Sequence, residues 1–323
     1  MLLIIAHHFA CHAIYPTEIS IFNGVILSAF FIGGKLGVNL FVLISGYFLS
    51  KSNIKLKKII KLILQVDFYS ILLYLIFAGI GNNITVGGFF ENLFAIFFEK
   101  YWFMTAYVVL YLLSPIINIL ISKLKQNMHF VLMFISIGLF FGLSYIPYIN
   151  FLVNIGWFFT LYLIGAFMRK YGENYLKKVR WYYSLIAFFV LYVLIIFIQY
   201  KFGINFAELT NPIGLVMAIC LFLTFKQSKI KNIKFLNLVA SFTLGIYLIH
   251  DNNFVRGYIW NNLFNCGYHS QYNYFVVFAI VAVIVVFVAC SIIEYLRQKL
   301  FAYIEKFINF LIIKIKEHKK IKN

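Results

Sequence analysis

Long apolar runs alternate along this chain with short clusters of lysine and arginine, as where "KSNIKLKKIIK" (51–61) follows the apolar stretch 24–50. A helix needs about 20 predominantly apolar residues to cross a bilayer. In hydrocarbon, every backbone amide must be satisfied within the spanning structure, which leaves only helices and closed barrels. The runs here are continuous rather than alternating in polarity, which favours helices over a barrel. The chain is therefore expected to be an all-α polytopic integral membrane protein. Apolar segments near 1–15, 24–50, 62–81, 102–122, 130–147, 151–168, 181–200, 211–225, 236–254 and 273–296 predict about ten transmembrane helices. Composition agrees, since 12% charged residues falls far below the roughly 25% of soluble domains. No internal repeat or large soluble insertion is visible. One membrane-embedded domain, 1–296, is expected, followed by a tail, 297–323, in which Leu300, Phe301, Ile304, Phe307, Ile308 and Leu311 mix with lysines in the manner of a basic amphipathic surface helix.

A net charge of +18 could suggest nucleic acid, but in a polytopic protein its distribution over the connections is more telling. Alternate connections (51–61, 123–125, 169–180, 226–234 and the tail) hold 24 of the 28 basic residues. Lys35, Lys100, Lys201 and Arg256 are left for the other side. This bias places both termini of a multi-pass protein in the cytoplasm, and the charge needs no nucleic-acid partner. The four cysteines, Cys11, Cys220, Cys266 and Cys290, have neither metal-ligand nor disulfide spacing and read as packing residues.

Ionisable groups inside hydrocarbon are functional candidates by default because they cost so much there. His7, His8 and His12 lie in the first segment, with His8 and His12 one turn apart on one face. Asp67 lies in the third, His250 and Asp251 end the ninth, and Glu294 closes the tenth. Glu294 and Asp251 sit near expected helix ends, where water reaches them. The histidines have three readings: hydrogen bonds that hold the bundle together, a zinc site, or proton transfer near neutrality. A His-x-x-x-His pair can ligate zinc, but no Glu follows His8 and the sequence offers no third ligand nearby, so no metal is expected. "GGK" (33–35) and "VGG" (86–88) lack nucleotide-loop spacing and read as turns or close helix contacts.

"GVNLFVLISGYFLSKSN" (37–53), "YWFMTAYVVLYLLSPIIN" (101–118) and "SFTLGIYLIHD" (241–251) together resemble the acyltransferase 3 family, polytopic bacterial enzymes that move acyl groups, usually acetyl from acetyl-CoA, onto cell-surface carbohydrates. The resemblance runs from the first helix through the ninth. It is strongest to polysaccharide O-acetyltransferases with a Trp-x-x-Thr-Ala-Tyr pattern, here Trp102, Thr105, Ala106 and Tyr107. Many relatives place a Glu where Tyr107 stands. The family's first helix carries an Arg and, eleven positions later, a His. That His matches His8, and the Arg would precede Met1. A first helix of residues 1–15 would reach only about 22 Å against a core near 30 Å, and both points predict roughly ten or more residues ahead of Met1.

The resemblance implies a catalytic His8, acting as general base or transient acyl carrier. It implies supporting roles for Ser45, Trp102, Tyr107, Tyr111 and His250. Acetyl-CoA would be the donor substrate, and Lys51, Lys55, Lys57, Lys58 and Lys61 are placed to meet its phosphates, although a cytoplasmic bias and contact with anionic lipid account for lysines there as well. The expected partners are acyl-CoA, a carbohydrate acceptor, membrane lipids and glycan-assembly proteins. A transporter of polysaccharide or lipid-linked sugar is the alternative, although Pro115, Pro147 and Pro212 lack the pairing of repeated broken helices. A structural subunit of a glycan-assembly complex is the third reading.

Overall fold

The computed structural model describes all residues except 82–83, 177–178, 204–207, 229–230 and 322–323, and all side chains except those at these positions and at 174–175, 308–309 and 311–321. In chain order the helices are α1 (Leu2–His12), α2 (Ile21–Leu49), α3 (Leu56–Gly79), α4 (Val86–Leu93), α5 (Trp102–Lys123), α6 (Gln126–Leu143), α7 (Asn150–Lys170) and α8 (Gly172–Leu176). They continue as α9 (Trp181–Phe202), α10 (Pro212–Gln227), α11 (Lys234–Ser241), α12 (Thr243–His250), α13 (Asn253–Gly257), a π-helix (Tyr258–Leu263), α14 (Cys266–His269) and α15 (Phe275–Ile321). No strand occurs among the described residues.

Each of the ten apolar segments forms helix, but not always in the expected form. Among the described residues, seven helices are long and apolar enough to cross a membrane: α2, α3, α5, α6, α7, α9 and the Phe275–Phe307 part of α15. The first, eighth and ninth segments are shorter, at Leu2–His12, Pro212–Gln227 and Lys234–His250. The ninth is broken at Phe242 into α11 and α12 and stops at His250 rather than continuing to 254. Residues 255–272, the connection between the ninth and tenth apolar segments, are largely helical, and Trp260 within them is fully buried. Helix α15 passes without interruption through 296 into the basic tail. Ile308 and Leu311 of the expected apolar face lie outside the described side chains.

Packing explains this arrangement. Helix α2 is the central post, lying against α1, α7, α9 and α10. Its contact with α7 is backbone on backbone: a Cβ on Gly46 would lie 2.6 Å from Tyr162 Cα, and one on Gly165 would lie 2.4 Å from the Leu43 carbonyl oxygen. Small residues permit such approach where lipid supplies no hydrophobic drive between helices. Gly46 is therefore a packing residue. Around this crossing, Trp157, Phe158, Leu161 and Tyr162 are fully buried. A second core gathers α1, α3, α12 and α15 around Phe9, Ile246, Leu248 and Phe275. The outer faces of α6 and α9 leave Phe134, Leu139, Phe189 and Val193 exposed, as lipid-facing helices do.

The basic connections share one end of the bundle. Arg169 Nη1 donates to Tyr47 Oη at 3.0 Å, Lys170 Nζ donates to the Ile121 and Leu124 carbonyls at 2.9 and 3.2 Å, and Lys226 lies 5.1 Å over the Tyr47 ring. Lys35 does not belong to a loop: it sits midway along α2. Glu294 is not near water either. It is fully buried, accepting from Tyr69 Oη at 2.6 Å, Gln65 Nε2 at 3.2 Å and Arg297 Nη2 at 2.6 Å, because α15 continues past it and covers it. Asp67 accepts the Ala95 amide at 3.1 Å.

Replacing Gly165 by valine should force α2 and α7 apart and cost about 1–3 kcal/mol. Gly138→Val, where nothing lies within 4 Å, should cost far less. Melting of the two purified variants in detergent measures the difference, and equal melting would refute the backbone contact.

Candidate active site

Helix α1 lies unusually close to α2 because glycines face it. A Cβ on Gly34 would lie 2.2 Å from His7 Cγ, and one on Gly37 would lie 2.9 Å from Ile4 Cγ1. The "GGK" stretch is thus a helix contact. His7 turns toward α2, where its Nδ1 donates to the Phe31 carbonyl at 2.5 Å. At 100° per residue the next position faces elsewhere, and His8, only 8% exposed, points at the end of α12.

There it meets His250. His250 Nδ1 lies 2.5 Å from the carbonyl of Ile246, which can only accept, so that nitrogen carries the proton. In the neutral ring His250 Nε2 then accepts, and His8 Nδ1 donates to it at 2.9 Å. This leaves His8 Nε2 with a free lone pair, 3.5 Å from Asp251 Oδ1. His12 Nε2 approaches the same carboxylate oxygen at 3.3 Å, and Arg256 Nη1 stands 3.9 Å from it. Asp251 is thus a buried counter-ion rather than a water-exposed helix end. The turn carrying it is pinned by Asn252 Nδ2 donating to Tyr101 Oη at 2.8 Å, while Tyr101 Oη donates to the Leu248 carbonyl at 2.9 Å.

These groups open on a cavity of about 300 Å³ whose wall also includes Lys35, Trp102, Tyr107 and Tyr247. The buried Tyr247 hydroxyl interacts with the Asp251 carboxylate, outside strict hydrogen-bond geometry. A second cavity of about 420 Å³ lies between Leu49, Lys55, Lys58 and Tyr111, and both are lined by Leu62 and Tyr107. Ser45 Oγ is 3.4 Å from Tyr107 Oη and also donates to the Phe41 carbonyl at 2.9 Å. The structure therefore brings His8, Trp102 and Tyr107 to one cavity, with the fully buried His250 behind His8 and Ser45 behind Tyr107, and places Tyr111, Lys55 and Lys58 at the adjoining one. Lys51 and Lys57 line neither, and Lys61 pairs with Glu305 at 3.8 Å.

Sequence reasoning missed Asp251, His12 and Lys35 as members of one site. The signal for Lys35 was present, as a charge inside an unbroken apolar run. For Asp251 the sequence could not show that a helix stopping at His250 would be capped inside the protein. The expectation that His8 and His12 lack a third ligand does not hold: their Nε2 atoms and Asp251 Oδ1 lie within 4.8 Å of one another. A tetrahedral zinc with bonds of 2.0–2.1 Å needs ligand separations of about 3.3–3.4 Å. These three atoms could hold a divalent cation, and equally they form a proton-transfer cluster.

Residues 1–294 match a family model described as an acyltransferase domain. No curated protein and no solved structure matches the chain.

Asp251→Asn should lower stability by about 1.5–3 kcal/mol, because His12 and the Arg256 guanidinium lose their anionic partner. Arg256→Met should cost less, since its side chain is 38% exposed and 3.9 Å away. Detergent melting of both variants checks the order, and a reversed order would refute Asp251 as the hub.

Proposed function

Because the chain belongs to the acyltransferase family whose model spans residues 1–294, and is a multi-pass membrane acyltransferase, we propose that it moves an acetyl or other acyl group from cytoplasmic acyl-CoA to a hydroxyl of a cell-surface or lipid-linked carbohydrate. The membrane is proposed to be a bacterial cell membrane. The single observation that carries the chemistry is the hydrogen-bonded pair His8–His250, which aims the unprotonated Nε2 of His8 into the cavity beside Asp251.

His8 Nε2 accepts the proton of the acceptor hydroxyl as that oxygen attacks the thioester carbonyl. The imidazolium so formed faces the Asp251 carboxylate, and His250 keeps the ring from rotating. Collapse of the tetrahedral intermediate breaks the carbon–sulfur bond, and the proton passes from His8 to the leaving thiolate. The donor would enter from the second cavity, where Lys55 and Lys58 meet its phosphates as point charges and its acyl end passes between Leu62 and Tyr107. Trp102 and Tyr107 line the acceptor's part of the cavity, with Ser45 bracing Tyr107. The gathering of basic connections at one end supports a cytoplasmic side there, with both termini on it and about ten membrane passages. Proteins of glycan assembly are the partners this reading implies.

His8→Ala should lower transfer from radiolabelled acetyl-CoA to surface glycan by at least about 10²-fold, with normal membrane accumulation, while His7→Ala keeps most activity. Transfer should persist in EDTA. Equal activity of His8→Ala and the parent would sink the mechanism, and loss of activity in EDTA restored by zinc would assign the cluster to a metal instead.

A cysteine introduced at position 55, in a chain freed of Cys11, Cys220, Cys266 and Cys290, should resist an impermeant maleimide in intact cells and react once the membrane is opened. Labelling in intact cells would overturn the orientation.

A further inference from the structure

We propose that Lys35 is an anion-binding residue of the substrate cavity, holding a phosphate or carboxylate of a bound substrate at a point separate from the lysines of the 51–61 connection. Lys35 lies midway along α2, in the stretch that α1 covers, and its side chain lines the cavity containing His8 and Asp251. Its contact is the face of Trp102, with Nζ 4.5 Å from the ring centroid. Among the described residues no carboxylate lies within ion-pairing distance of it.

Magnitudes show that Trp102 alone does not account for an ammonium in this position. A cation over an indole gains roughly 0.5–2 kcal/mol, whereas withdrawing an ion from water into a protein interior costs several. The cavity's own carboxylate does not close the gap, because Asp251 is already shared by His8, His12 and Arg256. With neutral imidazoles the charged side chains lining the cavity are two cations, Lys35 and Arg256, against one carboxylate; the exposed Glu208 acts on Lys35 only from outside the lining and forms no ion pair with it, so the lining carries a net positive charge in an apolar bundle. A substrate anion beside Lys35 restores neutrality, and Trp102 holds the ammonium at the wall where that anion would sit. A lysine binds such a group as a point charge. A phosphate of the donor and an acidic group of the acceptor share this chemistry. The inference rests on the acyltransferase reading only in treating this cavity as the place where substrate binds.

The test uses the full chain in detergent and four probes: coenzyme A against pantetheine, which lacks its phosphates, and glucuronate against glucose. Affinities are read from ligand-dependent melting for the parent, Lys35→Met and Lys35→Arg. Lys35→Met should weaken one anionic probe about tenfold or more and leave both neutral probes as in the parent, and Lys35→Arg should keep most of the affinity. Loss confined to coenzyme A identifies the donor as the source of the anion, and loss confined to glucuronate identifies the acceptor. Unchanged binding of both anions by Lys35→Met would overturn the proposal. So would equal weakening of a neutral probe, which would mark Lys35 as a packing residue. Because no turnover is measured, failure here is distinct from failure of the acyl-transfer reading, which the His8→Ala assay judges.

Discussion

A carboxylate in the interior of an apolar bundle survives only where donors surround it, and the organisation of this protein's site follows from the way Asp251 meets that condition. Its neighbours come from two helices: His12 and the unprotonated Nε2 of His8 from α1, and Arg256 from α13. The same contacts that satisfy the carboxylate fix α1 against the end of α12 and set the orientation of the His8 ring. Structural necessity and chemical capacity coincide here, because a lone pair held toward a cavity is what a general base requires.

Much of the fold was legible because a bilayer imposes a length and a composition on whatever crosses it. Apolar runs marked where the helices lie, and basic clusters marked which connections share an end. Less legible was everything decided by packing between segments. The break at Phe242, the burial of Trp260 in the connection between the ninth and tenth segments, and the covering of Glu294 by Tyr69, Gln65 and Arg297 depend on neighbours distant in the chain. Lys35 and Asp251 were misplaced for opposite reasons: one charge was assigned to the outside although its run was unbroken, and the other to water although its helix ends within the protein.

The site divides in the same way. His8 and His250 stand 242 positions apart in the sequence, and no periodicity links them; their place in apolar segments marked each as a candidate, and only the family resemblance gave them roles. The resemblance did not indicate how they touch, nor that His12 and Asp251 complete the cluster. Conversely, Ser45-Gly46, quoted as one motif, separates in the structure into a hydroxyl beside Tyr107 and a backbone crossing with α7.

The break at Phe242 has an electrostatic consequence. It leaves α12 as a short helix whose last residue is His250, and α1 likewise ends at His12. Two helices therefore direct their carbonyl ends at the same few ångströms of space, each terminus carrying roughly half a negative charge. The backbone itself makes this region attractive to protons and cations before any side chain is counted. The His8 ring, proposed to pick up a proton in each cycle, and two basic side chains of the same cavity are gathered where the main chain already favours positive charge.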